Sequence, residues 1–94
     1  MSWKIVLEDE DGAILSFINE ELDTKVSDDL TQFVLLRYLD AYGNTIFNRL
    51  QMDDLIQDLH RLKELDNDPI LGAIKLLAER CKNETHNYVI FYGD

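Results

Sequence analysis

Apolar positions open the chain on every second residue: Trp3, Ile5 and Leu7 alternate with Lys4, Val6 and Glu8. That period predicts a strand with one face buried. Asp9-Glu10-Asp11-Gly12 follows with D-x-x-G spacing. An Asp opening a turn can hold the backbone ahead of it, and a Gly at the fourth position takes the positive φ that closes a hairpin. Ala13 to Ile18 carries Ile14, Leu15, Phe17 and Ile18, so residues 3 to 18 read as a first antiparallel hairpin. The same spacing recurs at Asp40-Ala41-Tyr42-Gly43, between the run Phe33, Val34, Leu35, Leu36, Tyr38, Leu39 and the shorter Thr45-Ile46-Phe47. This predicts a second hairpin whose first arm is covered on both faces. A rival reading caps a helix with Ser27, runs it through Leu30, Phe33, Val34, Arg37 and Tyr38, and ends it at Gly43. The hairpin is the preferred of the two.

Beyond Asn48 the period changes. Met52, Leu55, Ile56, Leu59 and Leu62 recur at helical spacing, with Asp53, Asp54, Asp58, Arg61 and Lys63 assigned to the other side, which predicts an amphipathic helix over 52–65. Asp66-Asn67-Asp68-Pro69 breaks it, and Asp68 as cap with Pro69 at the first helical position starts another. Ile70, Leu71, Ile74, Leu77, Ala78 and Cys81 form the second helix's apolar face, antiparallel to the first. His86 to Tyr92 is a last strand, with Tyr88, Ile90 and Tyr92 on one face and Val89 and Phe91 on the other. Residues 19 to 29 read as the loop joining the hairpins.

The expected fold is therefore a single α+β domain over residues 1–94: a mainly antiparallel five-stranded sheet, ordered β-hairpin, β-hairpin, α, α, β, with both helices on one face. Strand three and the last strand carry apolar side chains on both faces. Either aromatics such as Tyr38 and Tyr88 tile the second face, or that face is a homodimer interface.

Charge narrows the partners. Nineteen acids against nine bases give a net charge of −10, and residues 1 to 29 hold nine of the acids with only two lysines. Such a chain repels phosphate, so nucleic acid and anionic membranes are not expected partners, whereas a basic protein is. Solubility alone also explains the charge. No apolar run approaches the roughly 20 residues of a membrane span. The start MSWKIVLEDEDG has acids where a signal peptide needs its apolar stretch, so a cytoplasmic location is expected.

Few residues suggest chemistry. LEDEDG does not fit a calcium loop, because aligning Gly12 as the sixth residue puts Leu7 first and Ile18 twelfth, where ligating oxygens are needed. His60 and His86 fall in no metal-binding spacing. Cys81, near Lys82 and His86, lies on the second helix's apolar stripe, where a thiol usually packs as a small hydrophobe. No catalytic, metal or cofactor-binding residues are assigned, and whether the chain is an enzyme stays open, with the balance against it.

The stretch YLDAYGNTIFNRLQ and the closing HNYVIFYGD resemble a group of small uncharacterised bacterial proteins, which have a D-x-Y-G-x-T-x-F-N turn and an aromatic strand ending in Gly-Asp. The matching positions are Asp40, Tyr42, Gly43, Thr45, Phe47 and Asn48, then Tyr92, Gly93 and Asp94; Ala41 stands where the pattern has proline. The resemblance spans roughly the last 60 residues, implies bacterial origin, favours the second hairpin and brings no activity with it.

Size, charge and the lack of a chemical motif point to a non-enzymatic protein-interaction module, such as an immunity-type or regulatory inhibitor of a basic partner. Its candidate partner-binding residues are Glu20, Glu21, Asp23, Asp28 and Asp29 with Tyr38, Tyr42, Tyr88 and Tyr92. The alternatives are a small enzyme or ligand binder, with a pocket between sheet and helices and Cys81, His86 or Tyr92 at its mouth, and a structural homodimer.

Overall fold

A computed structural model describes residues 2–23, 33–40, 42–65 and 67–93. Five strands, β1 (Ser2–Asp9), β2 (Ile14–Phe17), β3 (Leu22–Asp23), β4 (Asn44–Asn48) and β5 (Asn87–Gly93), accompany two helices, α1 (Met52–Leu65) and α2 (Ile70–Asn83). Every strand pairing is antiparallel, and the sheet runs β2-β1-β5-β4 with β3 also paired to β1. The α+β class, the five-stranded antiparallel sheet and the two helices agree with the expectation from sequence.

The first hairpin forms as its spacing predicts. Gly12 donates its N–H to the Asp9 carbonyl at 3.1 Å with φ +83°, and Asp9 Oδ1 accepts the N–H groups of Asp11 and Ala13, each at 2.9 Å. Asn48 ends β4 and exchanges two hydrogen bonds with Gln51 in a capping box. That box starts the 3-10 turn Arg49–Gln51, which runs directly into α1. Asp68 Oδ1 accepts the Ile70 N–H at 3.1 Å, so Asp68 holds the start of α2 as expected. Lys82 near the end of α2 meets Asp53 near the start of α1 at 2.7 Å, as two antiparallel helices place them.

One sheet face supplies the core. Trp3, Ile5, Leu7, Phe47, Val89 and Phe91 are all at most 3% exposed and share one buried cluster with the stripes of both helices. Phe47 and Phe91 meet edge to face at 5.7 Å, a favourable aromatic geometry. β5 lies between β1 and β4, in the sheet interior that its apolar faces implied.

Three expectations are corrected, the last of them in α1. Residues 33–39 form no strand: Leu35 has helical backbone angles, Leu36–Tyr38 is a 3-10 turn, and the third strand is instead Leu22–Asp23, inside the stretch read as a loop. The Asp40–Gly43 turn does form, with the Tyr42 N–H donated to Asp40 Oδ1 at 2.9 Å, but it leads into β4 without a paired strand before it. Ser27, the rival helix cap, lies outside the described residues.

Asp58, expected on the solvent side of α1, is 1% exposed. Its carboxylate accepts the N–H groups of Val34, Leu35 and Leu36 at 3.0, 2.7 and 3.1 Å. Three successive amides can converge on one carboxylate only if the backbone turns, since a strand sends alternate amides to opposite sides. Asp58 therefore selects the turn over the strand. A second tether holds the far end of the segment, where Trp3 Nε1 donates to the Asp40 carbonyl at 2.9 Å.

In urea unfolding, Asp58→Ala is expected to cost about 3 kcal/mol, because it leaves three amides without their acceptor, while Trp3→Phe, losing one hydrogen bond, costs about 1 kcal/mol. Equal small losses at both positions would contradict this ranking.

Candidate functional site

The predicted partner-binding residues do not form one patch. Glu20, Glu21 and Asp23 are exposed around β3, on the flank of β1 away from β5. Tyr38 and Tyr42, at 66% and 85% exposure, belong to the segment leading into β4, at the opposite edge of the sheet. Three strand spacings, about 14 Å, separate the two edges there. Asp28 and Asp29 lie outside the described residues. Tyr88 and Tyr92 are half-buried on the sheet face away from the helices.

That outer face has an apolar middle row. The strand registers align Phe17, Val6, Ile90 and Ile46 across β2, β1, β5 and β4. Phe17 and Ile46 are each 61% exposed, yet Ile90 is only 4% exposed and stands outside the core cluster. The cover comes from within the chain. Tyr92 pairs with Lys4, four residues along β1 from Glu8, yet its hydroxyl donates a hydrogen bond to the Glu8 carboxylate. The two side chains can meet only by closing over the Val6–Ile90 pair between them. Accepting that bond makes Glu8 the main cause of a raised Tyr92 pKa, with burial adding to it.

Among the described residues, no strand pairs with the edge of β4 beside this face. Gly93 donates its N–H to the Gly43 carbonyl at 2.8 Å, so residues 43 and 93 are a bonded pair. Antiparallel alternation then assigns the β5-facing bonds to Thr45 and Phe47 and turns the backbone groups of Asn44, Ile46 and Asn48 away from the sheet. Gln51 satisfies the Asn48 N–H, whereas the N–H and C=O of Asn44 and Ile46 have no backbone partner among the described residues. From Ala41 to Asn48 there is no charged residue, although nearly a third of the chain is charged. Edge strands usually carry charges or proline that discourage pairing with another chain, and β4 has neither.

Two apolar side chains flank the edge. Tyr42 precedes β4 and Leu50 follows it, and at 85% and 83% they are the most exposed large hydrophobics among the described residues. Gly43 allows the turn close to Asp40, since a Cβ there would lie 2.7 Å from the Asp40 carboxylate. At the Leu50 end is a hollow of about 300 Å³, lined by Asn48, Arg49, Leu50, Thr85, His86, Asn87 and Tyr88. Arg49 pairs with no carboxylate among the described residues. His86 has φ +63°, and its Nδ1 lies 3.4 Å from Glu10 Oε2. The buried Asn87 donates to Glu84, which Arg80 also contacts at 2.9 Å, and these two hydrogen bonds hold the Glu84 carboxyl below its ordinary pKa.

Of the side chains proposed for a pocket mouth, only His86 lines this hollow, which lies at the end of the sheet. Cys81 is fully buried and donates its S–H to the Asn87 carbonyl at 3.3 Å. Burial pushes its pKa up, with Glu84 adding to the rise, so the thiolate that nucleophilic chemistry requires is disfavoured. Among the described residues, no group of three or more His, Cys, Asp or Glu side chains could hold a metal ion, and no helix is long and apolar enough to cross a membrane.

Sequence reasoning did not assign Asn44, Ile46, Asn48, Arg49 or Leu50 to a binding site. Two signals point to them: the charge-free stretch 41–48, and Leu50 falling off the apolar stripe of the helix that follows. No family model, curated protein or solved structure matches the chain.

The Tyr92 contact predicts a pH dependence. A raised pKa in the folded state means that the contribution is complete below the unfolded tyrosine pKa, near 10, and is lost as pH rises through the folded value. Wild type is expected to exceed Tyr92→Phe by about 1 kcal/mol at neutral pH and by progressively less above about pH 10. A gap that widens in alkali would contradict the assignment.

Proposed function

We propose that the chain is a non-enzymatic protein-interaction module that takes a partner segment by strand addition at β4. The outward backbone groups of Asn44 and Ile46 carry this reading. An extended segment laid against them gains main-chain hydrogen bonds, while alternate side chains meet Ile46 on one face. Tyr42 and Leu50 supply apolar contacts at the two ends. The net charge of −10 favours encounter with a basic partner, as an immunity-type or regulatory inhibitor would require. The exposed Glu20, Glu21 and Asp23 act in this scheme through long-range attraction, because they sit on the other edge of the sheet. Cytoplasmic residence and kinship with the bacterial group sharing the D-x-Y-G-x-T-x-F-N turn fit the proposal as further parts of it.

The test is a titration of dilute, isotope-labelled protein with short, basic, β-prone peptides. Binding is expected to shift the amide resonances of Asn44 and Ile46 first, and Ile46→Lys is expected to weaken it about tenfold or more. Shifts centred on Glu20 to Asp23, or binding unchanged in Ile46→Lys, would overturn strand addition.

A further inference from the structure

The β4 edge is complementary to itself. Its outward residues, Asn44, Ile46 and Asn48, are spaced symmetrically about Ile46. In an antiparallel pair with Ile46 opposite the partner's Ile46, each Asn44 faces the partner's Asn48, and the outward backbone groups that meet are those of Ile46, the Asn44 N–H and the Asn48 carbonyl, the Asn48 N–H being held by Gln51. Past Asn48 the chain leaves the strand for the 3-10 turn Arg49–Gln51, so Arg49 and Leu50 lie beyond the paired residues, at the end of the ribbon where the partner's Gly43 and Tyr42 enter β4. The most exposed apolar side chain before the strand and the one after it, Tyr42 and Leu50, thus stand at the same end of the pair.

We infer that, while no basic partner is bound, the β4 edge is occupied by a second copy of this chain, joined through β4 about a two-fold axis into one continuous eight-stranded main sheet. This rests on the strand-addition reading and adds a self-paired state that a partner strand displaces. Two features of the surface suit it to a copy. The uncharged stretch 41–48 lets two chains of charge −10 meet where neither presents an acid. Arg49, which pairs with no carboxylate among the described residues, stands at the end of the pair where the other copy's Asp40 turn enters β4. A symmetric pairing makes every contact twice, which a short edge requires. The opposite apolar face is the weaker candidate, because the Tyr92–Glu8 bridge already covers its centre. An interface of two five-residue strands and two apolar clasps stands at the small end of specific interfaces, below about 1,200 Å², so association in the micromolar range is expected.

Sedimentation equilibrium of the full chain from about 1 µM to about 1 mM tests the inference. The expected result is a shift from 11.0 kDa toward twice that mass. Ile46→Lys is expected to weaken dimerisation at least about tenfold, with Leu50→Ser as a second variant at an exposed position, and Phe17→Lys on the outer face is expected to leave it unchanged. Raising the salt from about 0.05 to about 0.5 M should strengthen the dimer by screening the two acidic chains, the opposite of its effect on a basic partner. Circular dichroism of each variant at low concentration checks that the fold is retained. A wild type that stays at 11.0 kDa throughout overturns self-pairing, and the peptide titration then judges strand addition separately. A dimer that survives Leu50→Ser and is lost in Phe17→Lys overturns it in favour of the outer face; Ile46→Lys does not separate the two, because Ile46 lies in that face's row as well as on the edge.

Discussion

Three backbone N–H groups converge on the buried carboxylate of Asp58, and the arrangement of this fold depends on that convergence. A carboxylate taken out of water needs partners of its own, and the amides of Val34, Leu35 and Leu36 supply them. The same bonds satisfy a stretch of backbone that would otherwise be buried without acceptors, since Phe33, Leu35 and Leu36 are all enclosed. One side chain of α1 thus fastens a segment 22 to 24 residues earlier in the chain, and Trp3 fastens the same segment to β1 through Asp40.

This tether decides where the sheet stops. Had residues 33–39 formed the arm of a hairpin, they would have covered β4 and occupied the backbone groups of Asn44 and Ile46. Drawn instead toward α1, the segment leaves β4 as the last strand of the sheet among the described residues, with the donors and acceptors of Asn44 and Ile46 facing outward. Thr45 marks the parting of the two paths: its hydroxyl accepts the Asp40 N–H at 3.2 Å, while the strand that carries it continues along β5. The interaction surface is in this sense a consequence of the core, and the residues that expose it are not the residues that would use it.

Local patterns in the sequence were legible wherever one element's own side chains settle its shape. The alternation from Trp3 to Leu7 with its D-x-x-G turn, the stripe of α1, the Asp68 start of α2 and the two faces of β5 all read correctly, because period and capping chemistry act over a few residues. The segment 33–39 did not. Its apolar run suits a buried strand and a buried turn equally well, and the deciding acceptor lies far along the chain on another element. Asp58 was itself misplaced for a related reason: its position three residues after Leu55 and four before Leu62 puts it on the buried side, but acidic character argues for solvent unless its partners are known. The pair Leu22–Asp23 is too short to show a period, and it takes its strand character from Ser2 and Trp3. The candidate surface was half legible. The tyrosines are legible as candidate aromatic contacts, and Tyr38 and Tyr42 are exposed, whereas an unpaired strand edge is a property of topology that no local pattern records.

Backbone amide hydrogen exchange at Val34, Leu35 and Leu36 measures the central interaction most directly. If Asp58 holds these amides in the interior, they exchange only through global unfolding, as slowly as the amides in the centre of β5. Exchange at rates typical of a surface loop, or cross-strand contacts between residues 33–39 and 44–48, would contradict the account.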